Sequence, residues 1–295
     1  MTVVAIVGPT ASGKSELALR AAERTGGEIV AADSRQVYRG MDVGTAKPTA
    51  AEQARVRHHC IDLVDPDEPY DAARYQQDGR AALAEIAARG VTAYVVGGTG
   101  LYVRALLDGL TLDAAPTDRE LRARLEARAA ADGGQALHRE LAAIDAAAAA
   151  RVDPRNARRV VRYLEIALLA GRVPIERSAR VAGPRIGLDP PRAWLDGRID
   201  SRVRRMVGDG VLDETRRLVD RGLDPRLPSM SGHGYRHWAA HLRGELALED
   251  AIAATAKDVR AYSRRQMTWF RRDPLIRWID PTTTDPLPLL EPVAA

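Results

Sequence analysis

A glycine-rich segment near the start of the chain carries the residue types that hold phosphate groups. Glycines let a loop turn its backbone N–H groups inward, and the positive end of a following helix adds to the attraction for an anion. Within this segment, Lys14 can bridge the outer phosphates and the Ser15 hydroxyl can bind Mg²⁺. The residues fit the pattern G-x-x-x-x-G-K-[ST] and are Gly8, Pro9, Thr10, Ala11, Ser12, Gly13, Lys14 and Ser15.

The segments on either side of this loop predict the strand and the helix that the motif needs. Residues 3–7 form a short apolar run, which is typical of a buried strand, and residues 15–24 are good helix formers. A strand, a glycine loop and a helix in this order argue against a chance match. The loop alone does not identify its ligand, because it would accept a diphosphate or a triphosphate and the chemistry could take place elsewhere on that molecule.

A second strand is predicted to end beside the same site. Residues 27–32 are followed by Asp33 and Ser34, and ligands of open parallel sheets bind at the carboxyl ends of the strands. A carboxylate at this position could accept a proton from a hydroxyl or an amine, or help to hold Mg²⁺. The alternative is that Asp33 only caps the following turn, as Asp-Ser pairs often do.

A third strand, predicted over residues 90–96, runs into glycines rather than into an acidic residue. Nucleotide hydrolases commonly place an aspartate there to organise Mg²⁺ and water, so its absence disfavours an ATPase or GTPase. We expect the glycine turn at residues 97–100 to let a ligand approach the backbone closely, with Thr99 as a hydrogen-bonding group.

The middle of the chain changes character. Residues 113–191 contain helical segments rich in Ala, Arg and Glu and no strand pattern. Together with the strands before them, they predict an α/β fold: a P-loop NTPase-like parallel sheet core flanked by helices (residues 1–112 and 192–295), with an all-helical insertion domain (113–191). Arg158 and Arg162 share one helix face that Arg159 flanks. On the opposite face we expect an apolar set to pack inward: Val160, Val161, Leu164 and Leu168. A solvated arginine face and a phosphate-backbone contact both fit this pattern.

Composition narrows the class of protein. The net charge of +4 and the pI near 9.4 permit a polyanionic partner, whereas an aromatic content of 4% disfavours a surface of stacked aromatic platforms. Cys60 is the only cysteine, which excludes an intramolecular disulfide and a zinc cluster. With neither a signal peptide nor a membrane span in the sequence, we expect a cytoplasmic protein, and without an apolar heptad seam we expect a monomer.

Several further segments, in a fixed order along the chain, carry a more specific resemblance. The sequence resembles the bacterial tRNA dimethylallyltransferases, also called tRNA isopentenyltransferases or IPP transferases. The segments that carry the resemblance are residues 8–15, 33–38, 41–48, 58–62, 96–102, 105–109, 159–165, 198–202 and 234–236. A phosphate loop alone occurs in many proteins, but this set is specific.

The resemblance implies transfer of a dimethylallyl group from dimethylallyl diphosphate to N6 of adenosine 37, next to the tRNA anticodon, in tRNAs reading codons that begin with U. It implies that the loop holds a diphosphate, that Mg²⁺ bound at Ser15 assists, that Thr10, Lys14 and Arg202 stabilise the departing pyrophosphate, and that Asp33 deprotonates the amine. The positions that it assigns to the tRNA anticodon stem-loop are Asp33, Ser34, Arg35, Gln36, Thr99, Arg122, Arg158, Arg159, Arg162, Gly234, Tyr235 and Arg236.

Alternatives remain at the level of the sequence. A small-molecule phosphotransferase could use Asp33 to activate a hydroxyl for attack on the terminal phosphate of ATP. An adenylate isopentenyltransferase would prenylate a free nucleotide, although a small acceptor needs no helical insertion. An RNA-binding switch with a nucleotide-responsive loop would transfer no group at all.

Overall fold

The computed structural model describes residues 2–110, 116–174, 180–224, 226–232 and 234–290. The chain forms two compact units, one of Met1–Asp108 with Val181–Ala295 and the other of Gly109–Arg180. The helices, in chain order, are α1 Lys14–Thr25, α2 Ala50–Arg55, α3 Ala72–Ala88, α4 Gly100–Leu107, α5 Arg119–Asp132, α6 Gly134–Ile144, α7 Ala146–Ala149, α8 Ala157–Ala170, α9 Arg192–Gly208, α10 Val211–Asp220, α11 Tyr235–Leu242 and α12 Leu248–Phe270. None of these helices combines the length and the apolar character that a membrane crossing requires.

The first unit is built on a parallel sheet. Its strands are β1 Val3–Val7, β2 Glu28–Ala31, β3 His58–His59, β4 Ala93–Gly97, β5 Arg185–Leu188 and β6 Ile276–Ile279. They lie in the order β3-β2-β4-β1-β5-β6, and each neighbouring pair is parallel. Because the chain leaves β1, β2 and β4 at the same edge, the segments that follow these three strands meet there. The predicted α/β fold is confirmed.

Two apolar layers hold the sheet between helices. Val3 and Ala5 of β1 pack with side chains of α3 and α4, whereas Val4 and Ile6 pack with Leu17 of α1. Successive side chains of a strand point to opposite faces, so a strand that is covered on both sides reads as a continuous apolar run. All five residues of β1 are buried, and this fixes the start of the phosphate loop at the edge of the sheet.

The first unit resumes earlier than the sequence indicates. The expectation that residues 113–191 contain no strand is wrong, because β5 pairs with β1. Its pattern is disguised by Arg185, a cation that is buried between Asp108 (2.6 Å) and Asp273 (2.7 Å). The helical unit therefore ends at Arg180 rather than at residue 191; the other predicted boundary, between residues 112 and 113, lies outside the described residues.

The second unit is helical in its described residues and has a core of its own. Leu125 of α5, Leu141 of α6 and Leu164 of α8 are among its buried side chains. The prediction that Val160, Val161 and Leu164 face inward is confirmed, but Leu168 is 49% exposed and was wrongly assigned to the core. Position 168 continues the helical spacing of position 164, but near this end of α8 the buried side chains are those of Ile166 and Ala167.

Candidate active site

The phosphate loop joins β1 to α1, as predicted. Gly13, with φ of 95°, precedes the first residue of α1. Gly8 has φ of 147°, and a side chain there would approach the Leu188 carbonyl oxygen to 2.9 Å. Ala11 also has a positive φ, of 66°, a conformation that is unfavourable for a residue with a side chain. The loop is therefore held in a defined shape by its surroundings and not only by its glycines.

The loop opens into a cavity of about 830 Å³. The cavity brings together the four residues assigned to chemistry, which are Thr10, Lys14, Asp33 and Arg202, and it is also lined by Ser15 and Gln36. Part of its wall is apolar and includes Val43, Val96 and Met206. A site whose lining combines several charged groups with apolar side chains suits an anion that carries an apolar group.

Positive charge is concentrated around this cavity. Lys14 is joined there by Arg202 and by two arginines that the sequence analysis missed, Arg198 and Arg205. Burial, and then the charge of Arg202, lowers the pKa of Lys14 to about 8. Burial, and then the charges of Arg198 and Arg205, lowers the pKa of Arg202 as well. Asp33 opposes both shifts, and a bound multivalent anion would relieve the repulsion among the cations.

The low pKa of Lys14 gives the first testable prediction. Because the ammonium group is lost above about pH 8, kcat/KM for an anionic donor should fall about tenfold per pH unit above that value. The Lys14→Arg variant should lack this fall, because arginine stays charged. If kcat/KM of the Lys14→Arg variant falls in the same way, a group other than Lys14 causes the pH dependence.

Unfolding does not explain such a fall. Between pH 8 and the ordinary lysine value of 10.5, the unfolded chain binds more protons at Lys14 than the folded chain does. This group therefore makes the folded state relatively more stable as the pH rises through that window. A thermal unfolding scan at each pH separates the two causes.

Asp33 lies just beyond the end of β2. One of its carboxylate oxygens accepts a hydrogen bond from the Arg35 backbone N–H (2.9 Å), so the turn-capping interpretation holds alongside the exposure of Asp33 to the cavity. The Ser34 backbone N–H donates to the Thr99 hydroxyl (3.0 Å). The Gln36 side-chain amide donates to the Ala46 carbonyl oxygen (3.1 Å). The ends of β2 and β4 are thus joined beside the cavity.

The glycine turn after β4 packs closely against other segments of the first unit. A side chain at Gly97 would lie 2.0 Å from the Ala32 carbonyl oxygen, and one at Gly100 would lie 1.9 Å from Trp269. The protein's own backbone and side chains therefore fill the space that a Cβ would need at Gly97 and Gly100. Gly97 also lines the cavity, and the approach of a ligand to this turn stays a prediction. The same crowding excludes an acidic side chain at Gly97, so a nucleotide hydrolase's aspartate has no room there.

A buried glutamate that the sequence analysis missed holds one wall of the cavity. Glu214 of α10 is 1% exposed, and it accepts hydrogen bonds from the backbone N–H groups of Asp42, Val43 and Gly44 at 2.7 to 2.9 Å. The Tyr235 hydroxyl donates to it as well (2.7 Å). Because Asp42 and Val43 line the cavity, Glu214 positions this segment without facing a ligand.

Replacement of Glu214 by alanine should be costly for stability. It leaves three backbone donors and one hydroxyl without their acceptor, and we expect the free energy of unfolding to fall by about 3 kcal/mol. Urea denaturation measures the change. The matched control is Glu245→Ala, which removes a surface partner of Arg243 and should leave the midpoint near that of the wild type; equal midpoints for both variants would contradict the assignment.

Comparison with known proteins assigns this architecture to a family. The model of the family described as IPP transferase matches residues 36–273, and a model described as isopentenyl transferase matches residues 1–64. This chain belongs to the IPP transferase family. The recognition made from the sequence motifs is thereby confirmed.

Relatives within the family are similar over nearly their whole length. The chain is 54% identical to the tRNA dimethylallyltransferase of Anaeromyxobacter dehalogenans over 288 residues, covering 95% of each chain. It is 49% identical to that of Thermomicrobium roseum over 284 residues, covering 95% of this chain and 86% of the relative.

Solved structures agree. The full-length tRNA isopentenylpyrophosphate transferase of Bacillus halodurans superposes with a TM-score of 0.71 at 41% identity, over 98% of this chain and 93% of that one. A eukaryotic dimethylallyltransferase acting on tRNA superposes with a TM-score of 0.81 at 26% identity, over 96% of this chain and 74% of that one. The P-loop NTPase-like core expected for the family is thus confirmed.

Three residues of the first unit that the family resemblance assigns to tRNA, namely Arg35, Gly234 and Arg236, differ from one another in their contacts. Arg35 donates to the Pro228 carbonyl oxygen and to the Ser231 hydroxyl (3.2 Å). Gly234 has φ of 86°, and a side chain there would lie 2.5 Å from Thr255. Arg236 is exposed and pairs with Asp258 (2.6 Å).

Tyr235 stands apart from the other predicted contacts. It is completely buried, and the Glu214 hydrogen bond together with burial raises its pKa well above the ordinary value, burial being the larger cause. A side chain at Gly44 would lie 2.5 Å from its hydroxyl. In this structure its side chain is not available to RNA, and its place is beneath the cavity wall.

The predicted arginines of the helical unit divide into two pairs. Arg122 and Arg162 both bind the carboxylate of Glu165, at 2.9 and 2.7 Å, and Glu165 is fully buried. Their first role is therefore to compensate a buried charge. Arg158 and Arg159 are exposed, and Arg159 lies over the ring of Tyr163 at 5.2 Å. The second pair presents charge at the surface.

Proposed function

We propose that this chain transfers a dimethylallyl group from dimethylallyl diphosphate to N6 of adenosine 37, next to the tRNA anticodon, in tRNAs that read codons beginning with U. The observation that carries the proposal is that one cavity is lined by a carboxylate, Asp33, together with the cations Lys14 and Arg202. A transferase of this kind needs one group to accept a proton from the nucleophile and others to stabilise an anionic leaving group.

The chemistry balances with these residues. The N6 nitrogen forms a bond to the allylic carbon while the bond from that carbon to the diphosphate oxygen breaks. Pyrophosphate leaves with the bonding electrons, and Lys14 and Arg202 stabilise its growing charge. Thr10, whose hydroxyl accepts a hydrogen bond from Arg202 (3.3 Å), fixes the guanidinium toward the loop. The proton of N6 goes to the Asp33 carboxylate.

A magnesium ion fits the donor set only together with the substrate. The described residues contain no cluster of three or more His, Cys, Asp or Glu that could hold a metal ion. Mg²⁺ commonly keeps several waters and takes one or two protein oxygens with substrate phosphates, and the Ser15 hydroxyl lines the cavity beside Lys14. When bound, the ion would neutralise diphosphate charge.

Recognition of tRNA requires the adenosine to leave its stack. An anticodon-loop base reaches a cavity of this kind only when it is flipped out. Asp33 and Gln36 line the cavity, and the Ser34–Thr99 contact directly follows Asp33; we assign these residues to the flipped nucleotide. Arg35 and Arg236, together with the exposed Arg158 and Arg159 of the second unit, would bind phosphates of the surrounding anticodon stem-loop.

The enzyme would work as a monomer in the cytoplasm. Every residue that lines the cavity belongs to the first unit of one chain, so a second copy need not complete the site. Its proposed substrates, a soluble diphosphate and tRNA, place the reaction in the cytoplasm.

The deciding experiment is incubation with dimethylallyl diphosphate, Mg²⁺ and unmodified tRNA that reads U-initial codons, followed by mass analysis of the nucleosides. We expect the mass gain on adenosine, and tRNAs for other codons provide the control. ATP turnover without a mass gain would support a small-molecule phosphotransferase instead. Prenylation of free AMP, with tRNA left unmodified, would indicate an adenylate isopentenyltransferase.

A further inference from the structure

One buried side chain contacts the loops on both sides of the reaction site. Gln266 of α12 is 5% exposed and lines the cavity. Its amide oxygen accepts a hydrogen bond from the Thr10 backbone N–H (2.8 Å), and its amide nitrogen donates to the Gly98 carbonyl oxygen (3.0 Å). The two contacts join the phosphate loop after β1 to the glycine turn after β4.

The contact with Thr10 acts on the donor side. The phosphate loop holds Ala11 in a positive φ of 66°, which costs backbone energy unless the surroundings impose it. Gln266 accepts the Thr10 backbone N–H and thereby fixes the peptide group that precedes Ala11. Because the Thr10 hydroxyl meets Arg202, the same contact sets where this guanidinium can lie.

The contact with Gly98 acts on the acceptor side. A side chain at Gly98 would lie 2.1 Å from the Gln266 amide nitrogen, so the approach is as close as packing allows. The Tyr262 side chain, one helical turn before Gln266, lines the cavity and interacts with the side chains of Gln266 and Thr99. Thr99 in turn accepts the Ser34 backbone N–H, next to Asp33. Polar contacts through Gln266, Tyr262 and Thr99 thus connect Thr10 to Ser34.

We propose that Gln266 is a positioning residue that fixes the phosphate loop relative to the Gly98–Thr99 turn, and thereby aligns the diphosphate with the acceptor amine. The proposal rests on the proposed function for its substrates. Its physical basis is that the amide oxygen accepts one hydrogen bond while the amide nitrogen donates another. An apolar side chain of the same size can make neither bond. Transfer reactions are sensitive to such alignment, since small displacements of bound reactants lower the rate strongly.

The test compares three variants in the full-length enzyme. Gln266→Met keeps the volume and removes the amide, Tyr262→Phe removes only the hydroxyl on the acceptor side, and Thr268→Val is the control. The Thr268 hydroxyl is exposed on the same helix and bonds only to the Arg264 carbonyl oxygen (3.0 Å). Calorimetry measures the Kd of magnesium pyrophosphate, and rapid quench measures the single-turnover rate with both substrates saturating.

We expect Gln266→Met to raise the Kd of pyrophosphate about tenfold and to lower the saturated single-turnover rate by about 10- to 100-fold. Tyr262→Phe should lower the single-turnover rate but leave the pyrophosphate Kd at the wild-type value. Thr268→Val should change neither. A Gln266→Met enzyme with a lower melting temperature but wild-type Kd and rate would reduce Gln266 to a merely structural residue.

The outcomes separate this inference from the proposed function. If the wild-type enzyme binds pyrophosphate but prenylates no tRNA, the proposed function is wrong. The pyrophosphate Kd of Gln266→Met relative to the wild type would still test the role of Gln266 in fixing the phosphate loop. Should Gln266→Met fail to fold, Gln266→Asn keeps an amide that is one methylene too short to span both loops. It should change the Kd and the rate in the same direction, and wild-type values for it would overturn the proposal.

Discussion

Asp33→Asn will lower the single-turnover rate of prenyl transfer by about 1,000-fold while tRNA binding stays close to that of the wild type. The asparagine keeps the shape of the side chain and the oxygen that accepts the Arg35 N–H, so the turn after β2 survives. It removes the negative charge that takes the N6 proton. A binding titration with labelled tRNA and a rapid-quench time course measure the two quantities on the same preparation.

The matched control for this variant is Asp189→Asn. Asp189 also follows a strand of the same sheet, β5, but it pairs with Arg271 at the surface (3.0 Å). Its replacement should leave the rate unchanged. Near wild-type turnover in Asp33→Asn would show that the base has been misassigned, and Asp33→Ala then distinguishes a residue that only orients the amine, since alanine would lose that contact too.

The parts of the fold that the sequence predicted are those in which local pattern and tertiary environment agree. The run over residues 3–7 became β1, and the helix formers at residues 15–24 lie within α1, Lys14–Thr25. For both segments the local sequence, an apolar run in one and good helix formers in the other, is sufficient to predict the element. In contrast, β5 was missed because Arg185 opens it, and a buried cation is readable only when its partners Asp108 and Asp273 are in place.

The site divides in the same way. Lys14 and Asp33 were found because a motif or the end of a strand marks them. Glu214 was missed because its partners are backbone N–H groups about 170 positions away, and nothing in a helix pattern distinguishes it from a surface glutamate. Gln266 was missed for the same reason. The spacing of Arg198, Arg202 and Arg205 at i, i+4 and i+7 along one helix face was a signal that the motif overshadowed.

The glycine turn shows that a glycine pattern does not identify the group that approaches the backbone. Glycine reports that something approaches the backbone, but not what approaches it. At Gly97 the approaching atom is the Ala32 carbonyl oxygen, which comes from the end of the neighbouring strand. The exclusion of an aspartate there nevertheless stands, because the space is filled by the protein itself.

Arg202→Ala will slow the chemical step by about 100-fold. Arg202 lines the cavity with Lys14 and donates to the Thr10 hydroxyl, so its charge lies where the pyrophosphate gains negative charge as the allylic bond breaks. A group that acts on developing charge affects the transition state more than the bound substrate, and the KM for dimethylallyl diphosphate should therefore rise less than the single-turnover rate falls.

The control lies on the same helix. Arg204 of α9 is 61% exposed and pairs with Glu249 at 3.0 Å, so Arg204→Ala removes the same charge without touching the cavity and should leave the rate unchanged. A substrate with a better leaving group should partly restore the rate of Arg202→Ala, because less charge stabilisation is then required. If the single-turnover rate of Arg202→Ala equals that of Arg204→Ala, Arg202 does not act on the leaving group, and Lys14 with the loop N–H groups must carry that stabilisation alone.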